Sequence, residues 1–507
     1  MKRALVSVSD KTGVVEFCQS LVECGYQIIS TGGTLSTLQG QGVEAIDITA
    51  VTNFPEILDG RVKTLSPYVH GGLLYRRDLE SHVSQINEHG IEAIDLVCVN
   101  LYQFEKASES GSLADAIENI DIGGPSMIRS SAKNYKDVFV VTDCSDYDRV
   151  IEAIKSDEDS SELKANLGAK AFALTARYDA IISQYLETHV ATEKMPSKTL
   201  TFDLKEELRY GENPHQSASF YTRIGGHNTI ECTEMLHGKQ LSYNNIQDAQ
   251  AALDLLSEFT KPTVCAIKHM SPCGVGIGSN IDEAWEKAYS ADPVSIFGGI
   301  VVTNCEVTAS VAELMSKIFL EVIVAPSYTD EALAILTKKK NVRILRLIEN
   351  EVKVETQFKS VGNGLLVQDV DTVNNYEIEY SVVTEKQPTE IEIEQMRFGQ
   401  SVVKHVKSNA IVLVKDNQTV GSGGGQTSRI DSAKIAFEQA KDLGHTEDII
   451  LASDAFFPFD DVVTLAAEYG VSCIVQPGGS IRDQDSIDKC NELGISMVFT
   501  NTRHFKH

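Results

Sequence analysis

The stretch ALVSVSDKTGVVEFCQSLVECGYQIISTGGT, residues 4–34, decides the fold of the first part of the chain. Ala4–Val8 reads as a strand, Val14–Cys24 as a helix that Gly25 stops, and Tyr26–Ser30 as a second strand. The turn Thr31-Gly32-Gly33-Thr34 and a short helix follow. Strand, helix and strand in so short a span favour a parallel sheet covered by helices. Working outward, Ile94–Asn100 and Val138–Val141 read as further strands, and Ser112–Glu118 and Ser126–Lys133 as helices. Leu163, Leu167, Ala171, Leu174, Tyr178, Ile181 and Tyr185 then share one face of a long helix. That periodicity stops around Thr192–Lys198, where Pro196 appears, and a domain boundary is placed there.

The alternation restarts beyond it. Helices are expected at Ile246–Phe259, Asp282–Ser290 and Ala309–Phe319, and strands at Thr263–Ile267, Ile300–Val302 and Val322–Val324. Between Asp369 and Glu392 the chain turns acidic and polar, which suggests a connector. After it come helix Glu392–Lys407, strand Ala410–Lys415, helix Asp431–Leu443, strand Ile449–Ser453 and helix Asp461–Tyr469. The expected domains are therefore residues 1–195, 196–370 and 371–507, all α/β. No short solenoid-type repeat is present.

With 507 residues the chain exceeds one ordinary core, and 42% hydrophobic with 23% charged residues is globular composition. No apolar run approaches the roughly 20 residues that span a bilayer, and the N-terminus reads as a strand, not a signal peptide. Ten cysteines without a C-x-x-C pair fit a reducing cytoplasm. A formal charge of −27 argues against a general nucleic-acid surface, though a few local donors still suffice for a small anion.

Several polar turns sit at expected strand ends. Ser7-Val8-Ser9-Asp10-Lys11-Thr12-Gly13 and Thr31-Gly32-Gly33-Thr34 offer amides, hydroxyls and one ammonium to an anion. Each alone is an ordinary turn; two after successive strands carry more weight. Neither is a G-x-x-x-x-G-K-[ST] phosphate loop. Gly60-Arg61-Val62-Lys63-Thr64-Leu65 is dense in donors, Asn100-Leu101-Tyr102 closes an apolar strand, and Asp121-Ile122-Gly123-Gly124-Pro125 leads into the helix bearing Lys133. Lys63 and Lys133 taken singly are surface charges, but a Lys, a Tyr and an Asp brought together can move protons. In the second half, Arg209-Tyr210-Gly211-Glu212-Asn213-Pro214-His215-Gln216 is a donor-rich loop. Lys268-His269 ends a strand, where an ammonium biases the neighbouring imidazole toward neutrality and suits it to acid–base work. Gly421-Ser422-Gly423-Gly424-Gly425-Gln426-Thr427-Ser428-Arg429 reads as a loop whose glycines let backbone approach a ligand, with Arg429 for phosphate. Ser453-Asp454-Ala455-Phe456-Phe457-Pro458-Phe459 is either core packing or the wall of a site for a flat ligand.

In this order, from Ser7–Gly13 to Arg503-His504-Phe505-Lys506-His507, these segments resemble the bifunctional AICAR (phosphoribosylaminoimidazolecarboxamide) formyltransferase and inosine monophosphate (IMP) cyclohydrolase family of purine biosynthesis, over essentially the whole chain. The resemblance implies a methylglyoxal-synthase-like parallel-sheet domain followed by two cytidine-deaminase-like α/β subdomains. Zinc deaminases need H-x-E followed by P-C-x-x-C. Here the only H-x-E is His445-Thr446-Glu447, and no second cysteine follows Pro272-Cys273 at that spacing, so no catalytic metal is expected.

By that resemblance a formyl group passes from 10-formyltetrahydrofolate, a co-substrate, to the amine of AICAR, with His269 as base, Lys268 assisting and Asn409 orienting the amide. Arg209, Tyr210, Gly298, Glu321, Arg429, Phe456 and Arg503 match nucleotide-contacting positions, and Ile430, Pro458 and Asp461 positions near the folate. Formyl-AICAR then closes to IMP with loss of water. Lys63, Tyr102, Asp121 and Lys133 match the catalytic positions of that step. Ser9, Asp10, Lys11, Thr31, Gly32, Gly33, Thr34, Arg61 and Thr64 match its nucleotide and phosphate cradle, which Val99, Asn100 and Ile122 complete. The resemblance also implies a homodimer with transferase sites at the subunit interface, and no nucleic-acid or membrane partner. Ser66, Gln103 and Ser271 depart from the family's usual His, Pro and Asn. Two rival readings are an enzyme with one activity only and a catalytically silent nucleotide-binding regulator; the intact Lys268-His269 pair and the Lys63, Tyr102, Asp121 set speak against the second.

Overall fold

The computed structural model describes residues 1–102, 104–156, 158–223, 230–348 and 356–507; Gln103, one of the departures above, lies outside the described residues. The chain divides into two compact units, Met1–Phe202 and Asp203–His507.

In the first unit, five strands pair in the order Ala45–Asp47, Tyr26–Ser30, Lys2–Ser7, Leu96–Val99, Phe139–Val141. Every pairing is parallel, with Leu5 opposite Ile29 and Val6 opposite Cys98. Their side chains are apolar on both faces because helices cover both sides. Helix Val14–Glu23 buries Val14, Phe17, Cys18 and Leu21, and Gly25 follows it at φ 82°. The 29-residue helix Ser161–His189 buries Leu167, Ala171 and Tyr178. One expectation is corrected: Thr31–Thr34 is not a turn before a helix. Thr31 is the extended N-cap, and the helix begins at Gly32, running to Gly40. Helix Gly123–Lys133 likewise starts three residues before the expected Ser126, since Pro125 fits a first turn.

The second unit is built on a twelve-stranded sheet. From one edge the order is Ser381–Val382, Ser496–Phe499, Val471–Gln476, Ile449–Ser453, Ile411–Lys415, Gln418–Gly423, Ser271–Ile277, Thr263–Lys268, Ile300–Thr303, Val322–Ala325, Arg343–Leu347, Thr233–His237. Read from the centre outward, the two halves match. Each has a two-residue hairpin, then an antiparallel strand, two parallel strands and an antiparallel edge strand. The helices match too. Tyr243–Leu256 and Glu390–Val403 each open with a capping box, Ser242 with Asn245 and Thr389 with Glu392. The two halves of the sheet are thus copies of one element order, and on one face they share a single core. Leu253, Phe259 and Val275 from one copy join Phe398, Val402 and Val412 from the other. On the opposite face each copy has its own core and three helices.

The central strands Ser271–Ile277 and Gln418–Gly423 overturn the reading of Gly421–Gly423 as loop, whereas 424–428 is irregular and Arg429 opens a helix, as expected. Gly421 and Gly423 lie inside the strand, where added Cβ atoms would strike the carbonyls of Ala436 and Ser432. Gly274 and Gly276 stand in the same relation to Ala288 and Ala284. These glycines let a helix, not a ligand, approach the strand. No helix among the described residues is long and apolar enough to cross a membrane.

Candidate active sites

The first cluster lies at the carboxyl ends of the parallel strands of the first unit, where open α/β sheets bind ligands. Asn100, one residue beyond Leu96–Val99, accepts the amides of Ser9 (2.6 Å) and Asp10 (3.1 Å) on Oδ1 and donates from Nδ2 to the Asp10 carbonyl (2.9 Å). It thereby ties the Ser9–Thr12 loop to the neighbouring strand end. Asp10 itself closes that loop by accepting from the amide and hydroxyl of Thr12, which hold its carboxyl below the ordinary value. Thr34 Oγ1 bridges the Val8 amide (3.1 Å) and carbonyl (3.0 Å), and the Ser7 and Thr31 hydroxyls meet at 2.9 Å.

Helix Gly32–Gly40 begins with no side-chain cap, so its first amides face outward as anion donors. Two ammonium groups converge there. Lys63 Nζ lies 3.8 Å from the place of a Cβ on Gly32, and Lys11 Nζ 4.0 Å from that on Gly33. Gly60, at φ 92°, turns the chain so that Lys63 reaches in. Arg61 pairs with Glu118. Thr64 is buried against Gly123 at the start of helix Gly123–Lys133.

Asp121 precedes that helix. Its amide donates to Tyr178 Oη (2.8 Å) and its Oδ1 accepts from the Gly124 amide (2.9 Å). Burial pushes its carboxyl above the ordinary value, opposed by the Gly124 amide and the Lys63 charge. Lys63 and Asp121 are therefore brought within electrostatic reach. Tyr102 stands exposed two residues past Asn100, Ile122 is exposed, and Val99 is buried in the strand. Lys133 is not brought to Asp121: it stands exposed at the last turn of the helix, about 15 Å along its axis. Tyr178, placed by the sequence only on the shared face of the long helix, holds the Asp121 backbone.

The second unit carries two clusters at one end of its sheet. In the first, Lys268-His269-Met270-Ser271 is the turn of a central hairpin, with Lys268 paired to Ser271. Lys268 Nζ donates to the Phe297 carbonyl (2.8 Å), beside Gly298 at φ 74°. His269 is exposed at φ 54°, not packed in hydrocarbon. Glu321, after the neighbouring turn, accepts from Asn245 Nδ2 (3.0 Å) and Arg343 Nη1 (3.3 Å). Arg343 also lines a cavity with Arg209, Tyr210 and Lys239. Arg209 lies over the Tyr210 ring at 4.8 Å and donates to its hydroxyl at 3.2 Å. Three cations around one cavity suit a phosphate. Lys239 and Arg343 went unnoticed in the sequence because they sit on opposite sides of it in chain order.

In the second cluster, Asn409 precedes strand Ile411–Lys415. Its Nδ2 donates to the carbonyls of Gln426 (3.1 Å) and Thr427 (3.2 Å), and its Oδ1 accepts from Arg429 Nη2 (2.9 Å). Arg429 is buried rather than splayed toward solvent. Its Nη1 donates to Ser453 Oγ (2.9 Å) and pairs with Asp454, which is fully buried. Asp454 also accepts from Ser408 Oγ (2.5 Å) and the Ala410 amide (3.1 Å). It is the hub of this cluster, and the sequence marked it only as part of an aromatic run. Phe457 is core, whereas Phe456, Pro458 and Phe459 are exposed beside it. Ile430 is half-buried, and Asp461 is exposed and accepts the Val462 amide (2.8 Å). Arg503 is exposed over Phe505; the next residue, His504, donates its amide to the Asp454 carbonyl (3.0 Å).

Because Gly276 pairs antiparallel with Gln418, the Lys268-His269 turn and the start of strand Ile411–Lys415 reach the same end of the sheet. Three strand spacings, about 14 Å, separate them. Among the described residues no three His, Cys, Asp or Glu side chains gather as metal ligands.

The profile of the AICARFT/IMPCHase bienzyme family matches residues 131–439, and that of the MGS-like domain matches residues 13–126. The chain is 53% identical over 510 residues to the bifunctional purine biosynthesis protein PurH of Oceanobacillus iheyensis, with 100% of both chains covered. It is 54% identical over 511 residues to the protein of that name from Bacillus cereus (strain B4264), and 54% over 515 residues to that from Lactobacillus delbrueckii subsp. bulgaricus, each again with 100% of both chains covered.

Proposed function

The chain belongs to the AICARFT/IMPCHase bienzyme family, and we propose that residues 1–195 carry ring closure while residues 196–370 and 371–507 together carry formyl transfer. It is a bifunctional enzyme of purine biosynthesis, an AICAR formyltransferase and an IMP cyclohydrolase. In the transfer, the AICAR amine attacks the formyl carbon of 10-formyltetrahydrofolate, and the bond from that carbon to N10 breaks. The amine proton passes to His269, and N10 takes up a proton as tetrahydrofolate leaves. Lys268 contributes positive charge at the formyl oxygen. Asn409 orients the substrate amide, and Arg429 and Asp454 hold Asn409 still. Arg209, Tyr210, Lys239 and Arg343 take the phosphate. Gly298, Glu321, Phe456 and Arg503 line the nucleotide, and Ile430, Pro458 and Asp461 the folate.

In the cyclisation, the carboxamide nitrogen of formyl-AICAR attacks the formyl carbon, and the former formyl oxygen departs as water. Holding both groups of one molecule in the reactive conformer supplies much of the acceleration. Lys63 stabilises the oxygen, and Asp121 works with Tyr102 on the proton transfers to the leaving water. Lys11 and the helix start at Gly32-Gly33 hold the phosphate. Lys133, at the far end of its helix, keeps a catalytic role only if substrate or a partner subunit reaches it. The enzyme acts as a cytoplasmic homodimer; ten free thiols support the reducing compartment.

The observation that carries this reading is the strand-end turn Lys268-His269, set on the same sheet end as Asn409, Arg429 and Asp454. Assaying both half-reactions on purified His269→Ala and Lys63→Met proteins tests it. The first is expected to lose transfer and keep cyclisation, the second the reverse. A folded variant that loses both at once contradicts the division of labour.

A further inference from the structure

The backbone under His269 is in a conformation its sequence does not favour. His269 and Met270 lie at φ 54° and 60°, the two central positions of a two-residue hairpin. Turns of this kind select Asn, Asp and Gly, because left-handed φ costs other residues about 1–2 kcal/mol each. The second copy of the fold obeys that rule: its turn is Asp416-Asn417, at φ 52° and 59°. In the first copy something other than residue type must hold the turn.

Asp248, on helix Tyr243–Leu256, does so. Its Oδ2 accepts the His269 amide at 3.1 Å and its Oδ1 the Met270 amide at 2.8 Å, so one carboxylate grips both left-handed residues. The residue in the corresponding place on the second copy's helix is Gln395. Among the described residues its buried Oε1 has no hydrogen-bond partner, so it gives Asp416-Asn417 no such grip. Once φ and ψ of His269 are fixed, the direction of its Cα–Cβ bond is fixed, and with it the region the imidazole can sweep.

We propose that Asp248 is a positioning residue for formyl transfer, holding the His269-Met270 turn so that the imidazole faces the substrate amine. This rests on His269 as the base. Burial raises the Asp248 carboxyl, opposed by the two amides it accepts and by the nearby imidazole, and Glu321 adds to the rise.

The test uses the full-length enzyme and four variants, with both half-reactions measured in each. Asp248→Ala is expected to lower kcat for transfer about 10–100-fold, the usual cost of a misplaced catalytic group. KM for AICAR should change less than about threefold, and cyclisation should stay at the parental rate. Adding Met270→Gly to Asp248→Ala supplies a residue that takes left-handed φ freely, and should recover several-fold of the lost kcat. Unchanged transfer in Asp248→Ala, or a loss that Met270→Gly does not repair, overturns the inference. If Asp248→Ala fails to fold, Asp248→Asn, which keeps one of the two acceptors, is judged by the same loss and rescue. His269→Ala separates the two levels: transfer surviving in that variant sinks the base assignment itself, whatever Asp248 does.

Discussion

The two copies within the second unit share strands, turns and helix caps, yet each is furnished for chemistry at a different end. In the proposed transfer site the first copy contributes its hairpin turn, Lys268-His269, and the second the point where its hairpin begins, Asn409. The unused ends show ordinary structural chemistry. The turn Asp416-Asn417 has residues that suit it. At the other unused end, Asn304 accepts the Thr263 amide (2.9 Å) and donates to the Lys261 carbonyl (2.8 Å), a neutral strand cap. Its counterpart is Asp454, which accepts the Ala410 amide but is charged and bound to Arg429. Arg429 opens its helix where the first copy has buried Ile281. Because the hairpins run antiparallel at the centre, the furnished end of one copy lies beside the furnished end of the other. A repeated fold can therefore build one composite site from two unlike halves, and its opposite end stays chemically plain.

That contrast is open to direct attack. His269→Ala should lower transfer about 10²–10⁴-fold, the range for removing a general base, whereas Asp416→Ala should leave it within about twofold in the same assay. Reciprocal swaps at the strand caps should differ next. Asp454→Asn strands buried Arg429 and should cost about 3–5 kcal/mol of stability in denaturant titrations. Asn304→Asp puts a carboxylate where no arginine waits and should cost about 1–3 kcal/mol; equal costs would erase the distinction. Where the copies are alike they should respond alike. Gly276→Ala and Gly423→Ala each drive a Cβ into a helix, and each should destabilise by about 1–3 kcal/mol in thermal unfolding. The smallest difference is at the turns: Met270→Gly should stabilise by up to about 1 kcal/mol, and Asn417→Gly should change melting by less than that.

Much of this was legible in the chain, and the exceptions share a cause. Tyr26–Ser30 and Ile449–Ser453 were readable to the residue because they are short, mostly apolar segments bounded by turn formers. Ser271–Ile277 and Gln418–Gly423 were not, since Pro272, Gly274, Gly276, Gly421 and Gly423 read as loop, although they form the centre of the sheet. The usable signal was the alternate-residue Gly-x-Gly after a two-residue turn, present twice at matching places. Lys268 and His269 were legible by position at a strand end, and Asn409 only through the family resemblance. Asp248 and Asp454 were not: each acts through backbone amides or a buried partner from a distant part of the chain, and no local pattern marks such a role.

The plain end of the sheet has a practical consequence. A fluorescent reporter, an affinity peptide or a small foreign module spliced between Asp416 and Asn417 would extend a tight, well-formed bend that carries no reacting group. On the proposed role of His269, the same graft between His269 and Met270 is expected to abolish formyl transfer, leaving the Asp416-Asn417 bend as the permissive port.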